Sequence, residues 1–393
     1  MIVKNESHII AETLRCLLAN ISFQYWVICD TGSTDGTQDI IRKCLKNVPG
    51  ELHEVPWVNF GTNRTQVLDL AREKADYSFM FDADDTIQNA RIPVPPEMTT
   101  DIYVLRFKVG DFTFFRPFIF SNRRRWKYVG VLHEYIEACD DGPPPTRTAI
   151  HGDYVCLAQC KGARSSDPHK FYKDAITLSN AYEAEKNPGL CARYAFYCAN
   201  SYRDCKMVKE SVQWYETALR LDGWHQEKYV ACRHIYEAHK ELGHAEHGLY
   251  ALVESFRYDR DRVECANILI NHYLMKGMYE VAYKYFELVN PNFDEVDLSN
   301  KLFTQSNQIT FFFPYSVIIV ADHVKKPELG IRMYNIIFKN KYVPPNHFFL
   351  KNLFGNLKFF LPHVVAEDKK EFKEKIAEYR RLCKETGFVE TNA

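Results

Sequence analysis

The sequence lacks a surplus of either charge. Its 393 residues carry 50 Lys and Arg against 51 Asp and Glu, a formal net charge of −1. That balance provides no electrostatic footprint for nucleic acid or for an anionic membrane as the main partner. It also lacks an apolar run of the roughly 20 residues that a membrane-spanning helix needs. The longest, Ile309 to Ala321, contains Pro314 and reads as a buried helix. No signal peptide is visible, because Met1 runs straight into Val3-Lys4-Asn5-Glu6. The 12 cysteines form no CxxC pair, Cys156 and Cys160 being the closest two. Scattered thiols without a secretion signal imply reduced, mostly structural cysteines and a cytoplasmic location. Neither a Gly-Lys-Ser/Thr phosphate loop nor a GxGxxG turn is present. What the chain does have is aromatic bulk, 27 Phe and 24 Tyr. That excludes a disordered chain and favours large cores, in two domains or three.

The first 150 residues alternate strand and helix patterns. Tyr25 to Asp30 reads as a short buried strand ending in an acid. Ser33-Thr34-Asp35 then supplies N-cap chemistry for a helix through Ile40, Ile41 and Leu45. Glu51 to Trp57 reads as a strand, and Asn63 to Lys74 as a helix burying Val67, Leu68 and Ala71. Alternation with short connections predicts a mostly parallel sheet. Beyond Asp85 the pattern turns to period two, as in Ile102 to Phe107, with Asp140 to Pro145 as a loop.

The densest chemistry lies at Phe79-Met80-Phe81-Asp82-Ala83-Asp84-Asp85. An apolar strand leads into three carboxylates, and in open α/β sheets ligands bind at that strand end. Clustered carboxylates repel unless a cation sits between them, and hard oxygen ligands select Mg²⁺ or Mn²⁺. An isolated Asp-x-Asp is more often an acidic turn, so the neighbouring motifs decide. Asp30-Thr31-Gly32-Ser33-Thr34-Asp35-Gly36-Thr37 joins a predicted strand to a predicted helix. Such a turn lets a ligand approach the backbone beside a helix N-terminus.

Taken in order, Val3-Lys4-Asn5-Glu6, Asp30 to Thr37, Asn59-Phe60-Gly61-Thr62-Asn63-Arg64, Phe81-Asp82-Ala83-Asp84 and Trp126 to Glu134 resemble family 2 glycosyltransferases of GT-A fold. The resemblance covers about residues 1–160, with only Met1 and Ile2 ahead of the first motif. It implies an α/β GT-A (Rossmann-like) domain that moves a sugar from a nucleotide-sugar donor, expected to be a UDP-sugar, with inversion at the anomeric carbon. The residues it marks for the nucleotide sugar are Asn5, Glu6, Asp30, Arg64, Asp82, Ala83 and Asp84. Asp30 and Arg64 would border the nucleobase. Asp84, with Asp82 and His151, would hold Mn²⁺ or Mg²⁺, and Glu134 would be the general base on the acceptor hydroxyl. The other reading of Glu134 is an ion-pair partner for Arg123, Arg124 or Arg125. Asp85 reads as a turn residue, and Lys161 to Ser166 as an interdomain linker that could line the acceptor side.

From Asp167 onward the chain is helical. Lys209 to Asp222 resembles the second helix of a tetratricopeptide unit, with small Ser211 and Ala218 around Tyr215. Gly248, Leu252 and Ser255, then Ala282, Phe286 and Val289, repeat those roles near the expected period of about 34 residues. The expected domains are 1–160 catalytic, 167–290 tetratricopeptide-like and 291–393 further helices. A protein or glycan acceptor, no nucleic acid and self-association through the helices complete the expectation. Two alternatives stand beside it: an inactive GT-A domain on a helical protein-binding scaffold, and a nucleotidyltransferase.

Overall fold

The computed structural model describes residues 1–110, 112–298 and 300–388. It divides into two compact units, Met1–Met207 and Val208–Ala393. The first opens with β1 (Ile2–Val3), α1 (Ile10–Asn20), β2 (Trp26–Asp30), α2 (Thr37–Cys44), β3 (Gly50–Glu54), α3 (Phe60–Ala71) and β4 (Tyr77–Phe79). Then come β5 (Asp85–Gln88), β6 (Ile102–Val109), β7 (Phe112–Ser121), β8 (Trp126–Val129), β9 (Tyr135–Ala138), β10 (Arg147–Ala149) and β11 (Val155–Ala158). Helices α4 (Lys170–Ala184) and α5 (Pro188–Asp204) complete this unit.

The parallel sheet expected from the alternation holds for β1-β2-β3. β4 departs from it. It pairs antiparallel with β7 at the edge of a mixed sheet of order β4-β7-β6-β11-β5, with β10 beside β6. The reason is β7, ten residues long, which doubles back along β6 and reaches on to β4. The strand expected to run to Asp82 stops at Phe79, although the Met80 amide still donates to the Phe118 carbonyl at 2.8 Å. Asp85 is a correction to the expected turn: it begins β5, paired with β11, and is 2% exposed.

The core explains these placements. Ile10 and Leu14 of α1 pack with Ile28, Phe81, Phe118 and Cys156, while Val67 and Leu68 of α3 meet Met80, Phe120 and Trp126. Full burial of a side chain such as Phe118 contributes about 1.5–3 kcal/mol. Two polar devices set the helix starts. Asn59 accepts from the Thr62 amide at 2.8 Å to cap α3, and buried Asn63 accepts from the Val58 amide and donates to the Pro56 carbonyl. Gly61 on α3 lies so close to the turn after β8 that a Cβ there would sit 2.3 Å from the Gly130 carbonyl oxygen.

The second unit is helical: α6 (Val208–Arg220), α7 (His225–Glu241), α8 (Leu249–Glu254), α9 (Glu264–Met275), α10 (Tyr279–Glu287), α11 (Phe313–His323), α12 (Pro327–Asn340), α13 (His347–Phe360) and α14 (Lys369–Glu385). Ser211, Tyr215, Ala218, Leu252, Ser255 and Ala282 are buried, as the repeat pattern predicts. Gly248 lets two helices close up, since a Cβ there would stand 2.7 Å from the Tyr236 Cα. The run from Ile309 is the expected buried helix, a π-helical turn (Gln308–Phe312) leading into α11 with Pro314 in its first turn.

Candidate active site

The first two motif loops are stitched together by side chains. Asp30 Oδ1 accepts from the Gly32 and Ser33 amides at 2.8 and 2.7 Å. Asn5, at φ 56, donates its amide to Ser33 Oγ, and its Oδ1 accepts from the Thr34 amide, each at 2.8 Å. The Glu6 amide donates to Thr37 Oγ1 at 2.9 Å, and Asp35 Oδ2 accepts from the Ser7 amide at 3.0 Å. Asn5 is therefore spent on holding the loops. Asp30 is 1% exposed, and its Oδ2 is buried with no hydrogen-bond partner among the described residues. A buried acceptor left in that state invites a ligand donor.

Arg64 is the hub of the site. α3 places it on the same buried face as Val67 and Leu68, at the three-to-four spacing of a helix. Its Nη2 donates to Asp82 Oδ1 at 2.5 Å, and its Nε makes an ion-pair contact of 2.7 Å with Glu134 Oε1. Nη1 has no hydrogen-bond partner among the described residues. Arg116 Nη2 donates to the other Asp82 oxygen at 3.1 Å. Burial alone would raise the Asp82 carboxyl, but Arg64 and then Arg116 overcome it and hold Asp82 below the usual carboxylate range. Asp85 goes the other way. Burial, then the charge on Asp82, lifts it to about 8, with Arg116 Nη1 still 3.9 Å away. Asp82 is charged and Asp85 protonated at neutral pH.

Asp84 and Glu6 form a second acidic focus. The Gly162 amide donates to Asp84 Oδ2 at 3.1 Å, and the Ala163 amide donates to Glu6 Oε2 at 3.2 Å. A Cβ on Gly162 would stand 3.1 Å from Asp84 Oδ2 and 3.3 Å from Glu6 Oε1, so the two carboxylates border one small space. Burial, and further down the charge of Asp84, raises the Glu6 carboxyl. Hard oxygens converging this way fit a divalent cation. Thr13 Oγ1 donates to the Ala83 carbonyl at 2.6 Å and fixes the acidic turn against α1.

Part of this set lines one cleft of about 750 Å³, whose wall does not include Asp30 or Glu134. Glu6, Arg64, Asp82, Asp84 and Arg116 are in its wall, together with Arg164, Lys170 and Lys173. The segment expected to be a linker is thus part of the wall, its Arg164 ion-paired with Asp174. The expected metal trio is not brought together. Both Asp82 oxygens are occupied by guanidinium groups, and His151 is exposed beside Phe115, its ring centroid 5.4 Å from that ring. No set of three His, Cys, Asp or Glu side chains that could hold a metal occurs among the described residues. The physical reason is register: β10 pairs with β6 at Ile102 to Val104, and His151 follows there, away from the cleft wall.

Glu134 meets Arg64, and none of the Arg123–Arg125 run is its partner. Arg124 pairs with Asp140, Arg123 donates to the Tyr77 hydroxyl, and Arg125 lies 3.7 Å from Asp69. The turn carrying Glu134 is clamped by α5. Tyr194 Oη accepts from the Val131 amide at 3.1 Å, Arg193 Nε donates to the His133 carbonyl at 2.9 Å, and Tyr197 stacks on the His133 ring at 4.1 Å. Burial, then Arg193, lowers His133 to about 3, so it stays neutral.

Sequence reasoning missed Arg116, Arg164 and the two amides at Gly162 and Ala163. Arg116 left one signal, a lone charge inside the apolar run Phe114-Phe115-Arg116-Pro117-Phe118. The amides left none, because backbone donors have no sequence signature.

A comparison with known families covers part of this geometry. The family profile described as Glycosyl transferase family 2 matches residues 1–94. That stretch contains Asn5, Glu6, Asp30, Arg64, Asp82 and Asp84, and ends before Arg116, Glu134 and His151. No curated protein matches the chain. Among solved structures, the crystal structure of MamA protein aligns at 10% identity and TM-score 0.31, over 51% of this chain and 98% of that one. MamA MSR-1 C2 aligns at 15% and 0.30, over 50% and 98%. A tetratricopeptide repeat protein from Parabacteroides merdae ATCC 43184 aligns at 13% and 0.30, over 56% and 93%. The first unit is thus a mixed α/β domain whose opening residues match that family, and a helical unit follows it in sequence. More closely, residues 1–94 of the first unit are similar to the glycosyl transferases of family 2, and the second unit is helical. No helix among the described residues is long and apolar enough to cross a membrane.

Proposed function

We propose that the protein is a metal-assisted, inverting glycosyltransferase that takes a sugar from a UDP-sugar donor to a hydroxyl of a protein or glycan. The observation that carries this reading is that three motif segments, separated in sequence, supply Glu6, Arg64, Asp82 and Asp84 to one cleft. Asp30 Oδ2 and Arg64 Nη1, a buried acceptor and a buried donor without partners, are suited to the edge of a nucleobase. Arg164, Lys170 and Lys173 balance a diphosphate. Asp84, with Glu6 beside it, would hold the Mn²⁺ or Mg²⁺, while Asp82 acts one step back by orienting Arg64. The cation would offset charge on the leaving diphosphate.

In the transfer, Glu134 accepts the proton of the acceptor hydroxyl. That oxygen bonds to the anomeric carbon, the bond from this carbon to the diphosphate oxygen breaks, and the nucleoside diphosphate leaves. For this Glu134 must exchange its contact with Arg64 for the acceptor. The helical unit would present the acceptor or join two copies, since repeat surfaces commonly bind peptides. A panel of nucleotide sugars incubated with Mn²⁺ tests the reading. UDP-sugars should be hydrolysed or transferred by wild type, and Asp84→Ala should reduce turnover at least about 100-fold. Equal turnover in the two proteins, or none with any donor, contradicts it.

A further inference from the structure

Part of the wall of the acidic cleft is aromatic, formed by Trp57 and Phe60. Trp57 is 42% exposed. A single exposed apolar side chain needs no explanation, but this one is held in place by a buried device. Asn63 is fully buried, accepts from the Val58 amide at 2.9 Å and donates to the Pro56 carbonyl at 3.0 Å. The backbone on both sides of Trp57 is thereby fixed. The indole meets the Phe60 ring at 4.9 Å between centroids and at 83°. In that edge-to-face geometry Phe60 covers at most one indole face. Phe60 itself is covered by the Arg164 guanidinium, 5.0 Å from its centroid and ion-paired with buried Asp174. The aromatic pair also adjoins the turn that carries Glu134. The Phe60 amide donates to the Val131 carbonyl at 3.2 Å. Arg64, four residues after Phe60 on the same side of α3, contacts the Glu134 carboxylate at 2.7 Å. Phe60 is therefore about 6 Å along the helix axis from the residue that grips the proposed base.

We propose that Trp57 is an acceptor-binding residue and that the acceptor is a glycan, with the C–H face of a pyranose ring seated on the indole. This rests on the transfer reading given above and narrows its acceptor from protein or glycan to glycan. The C–H bonds on one face of a sugar ring carry small positive charge and match the negative face of an aromatic ring. The hydroxyl rim of the sugar needs polar neighbours. The same cleft wall supplies them as Asp167, Lys170 and Lys173. A peptide fits this wall less well. Extended peptides are held through free backbone donors and acceptors, and here the Val58 amide and the Pro56 carbonyl are already spent on Asn63.

The test is saturation-transfer NMR on the full chain, with UDP and Mn²⁺ present and again without them. The probes are the methyl glycosides of glucose, galactose, mannose and N-acetylglucosamine. At least one should bind wild type, with saturation strongest at its ring C–H protons. Trp57→Ala should weaken that binding about tenfold or more, and Trp57→Tyr, which keeps an aromatic face, should retain most of it. Trp57→Leu, apolar but without a ring, should be as weak as Trp57→Ala. No binding of any glycoside to wild type, or equal binding to wild type and Trp57→Leu, would overturn the proposal. A fall in UDP affinity that matches the fall in glycoside affinity would overturn it too, because Trp57 would then be a nucleobase platform. Transfer to peptide hydroxyls with none to the glycosides would do the same. Hydrolysis of UDP-sugars by wild type without any acceptor is read separately and tests the donor reading on its own.

Discussion

Arg64 takes hold of two carboxylates that come from distant parts of the chain, Asp82 and Glu134, and it does so in a buried setting. Asp82 is therefore chiefly a positioning group, while Asp84 faces the cleft with only one backbone donor on its side chain. The two acids should separate in experiment. Asp82→Ala leaves two guanidinium groups short of a partner, and urea unfolding should show a loss of about 3 kcal/mol. Asp84→Ala should cost about 1 kcal/mol or less while abolishing turnover. Asp85 adds a pH signature. Its carboxyl is raised in the folded protein to about 8, against an ordinary 3.8, so between these values the folded state holds a proton that the unfolded state has released. Stability from this group is complete below pH 4 and is lost as pH rises through 8. Asp85→Asn keeps a neutral side chain there, and its urea midpoint should fall less than that of wild type between pH 5 and 8. At this scale the acids after Phe81 stood out as charges at the end of an apolar run, while Arg64 was marked only by the family resemblance. Arg116 and the Gly162 and Ala163 amides stayed hidden, since their roles depend on chain segments more than thirty residues apart meeting in space.

Elements were legible where their signal is local. The α2 and α3 helices and β2 and β3 follow from apolar periodicity, although α3 begins at Phe60 behind its Asn59 cap, ahead of the expected Asn63, and the N-cap of α2 is Gly36 instead of the Ser33–Asp35 side chains. The pairing of β4 with β7 was not legible, because strand partners and direction are set by long-range packing. The same holds for α5. It lies in the helical stretch of the sequence, yet its Tyr194 and Tyr197 fix the turn that carries Glu134. The contact between α3 and the turn after β8 is the tightest of these joints. Gly61→Ala puts a methyl 2.3 Å from the Gly130 carbonyl oxygen, and backbone must move. We expect a loss of about 1–3 kcal/mol in chemical denaturation, with the donor KM rising as Arg64 shifts with its helix. A Tm equal to wild type would show that the helix yields freely.

The whole molecule consists of two compact units, each with its own core. The acidic cleft lies wholly in the first. Heating should then give two transitions, and UDP with Mn²⁺ should raise the midpoint of one of them only. The most direct measurement is calorimetric titration of UDP into the full chain, with and without Mn²⁺, for wild type and Asp84→Ala. A single site tightened at least tenfold by Mn²⁺, with that gain absent in Asp84→Ala, is the predicted result. No binding to wild type, or equal Mn²⁺ dependence in both proteins, would contradict a donor site built around Asp84.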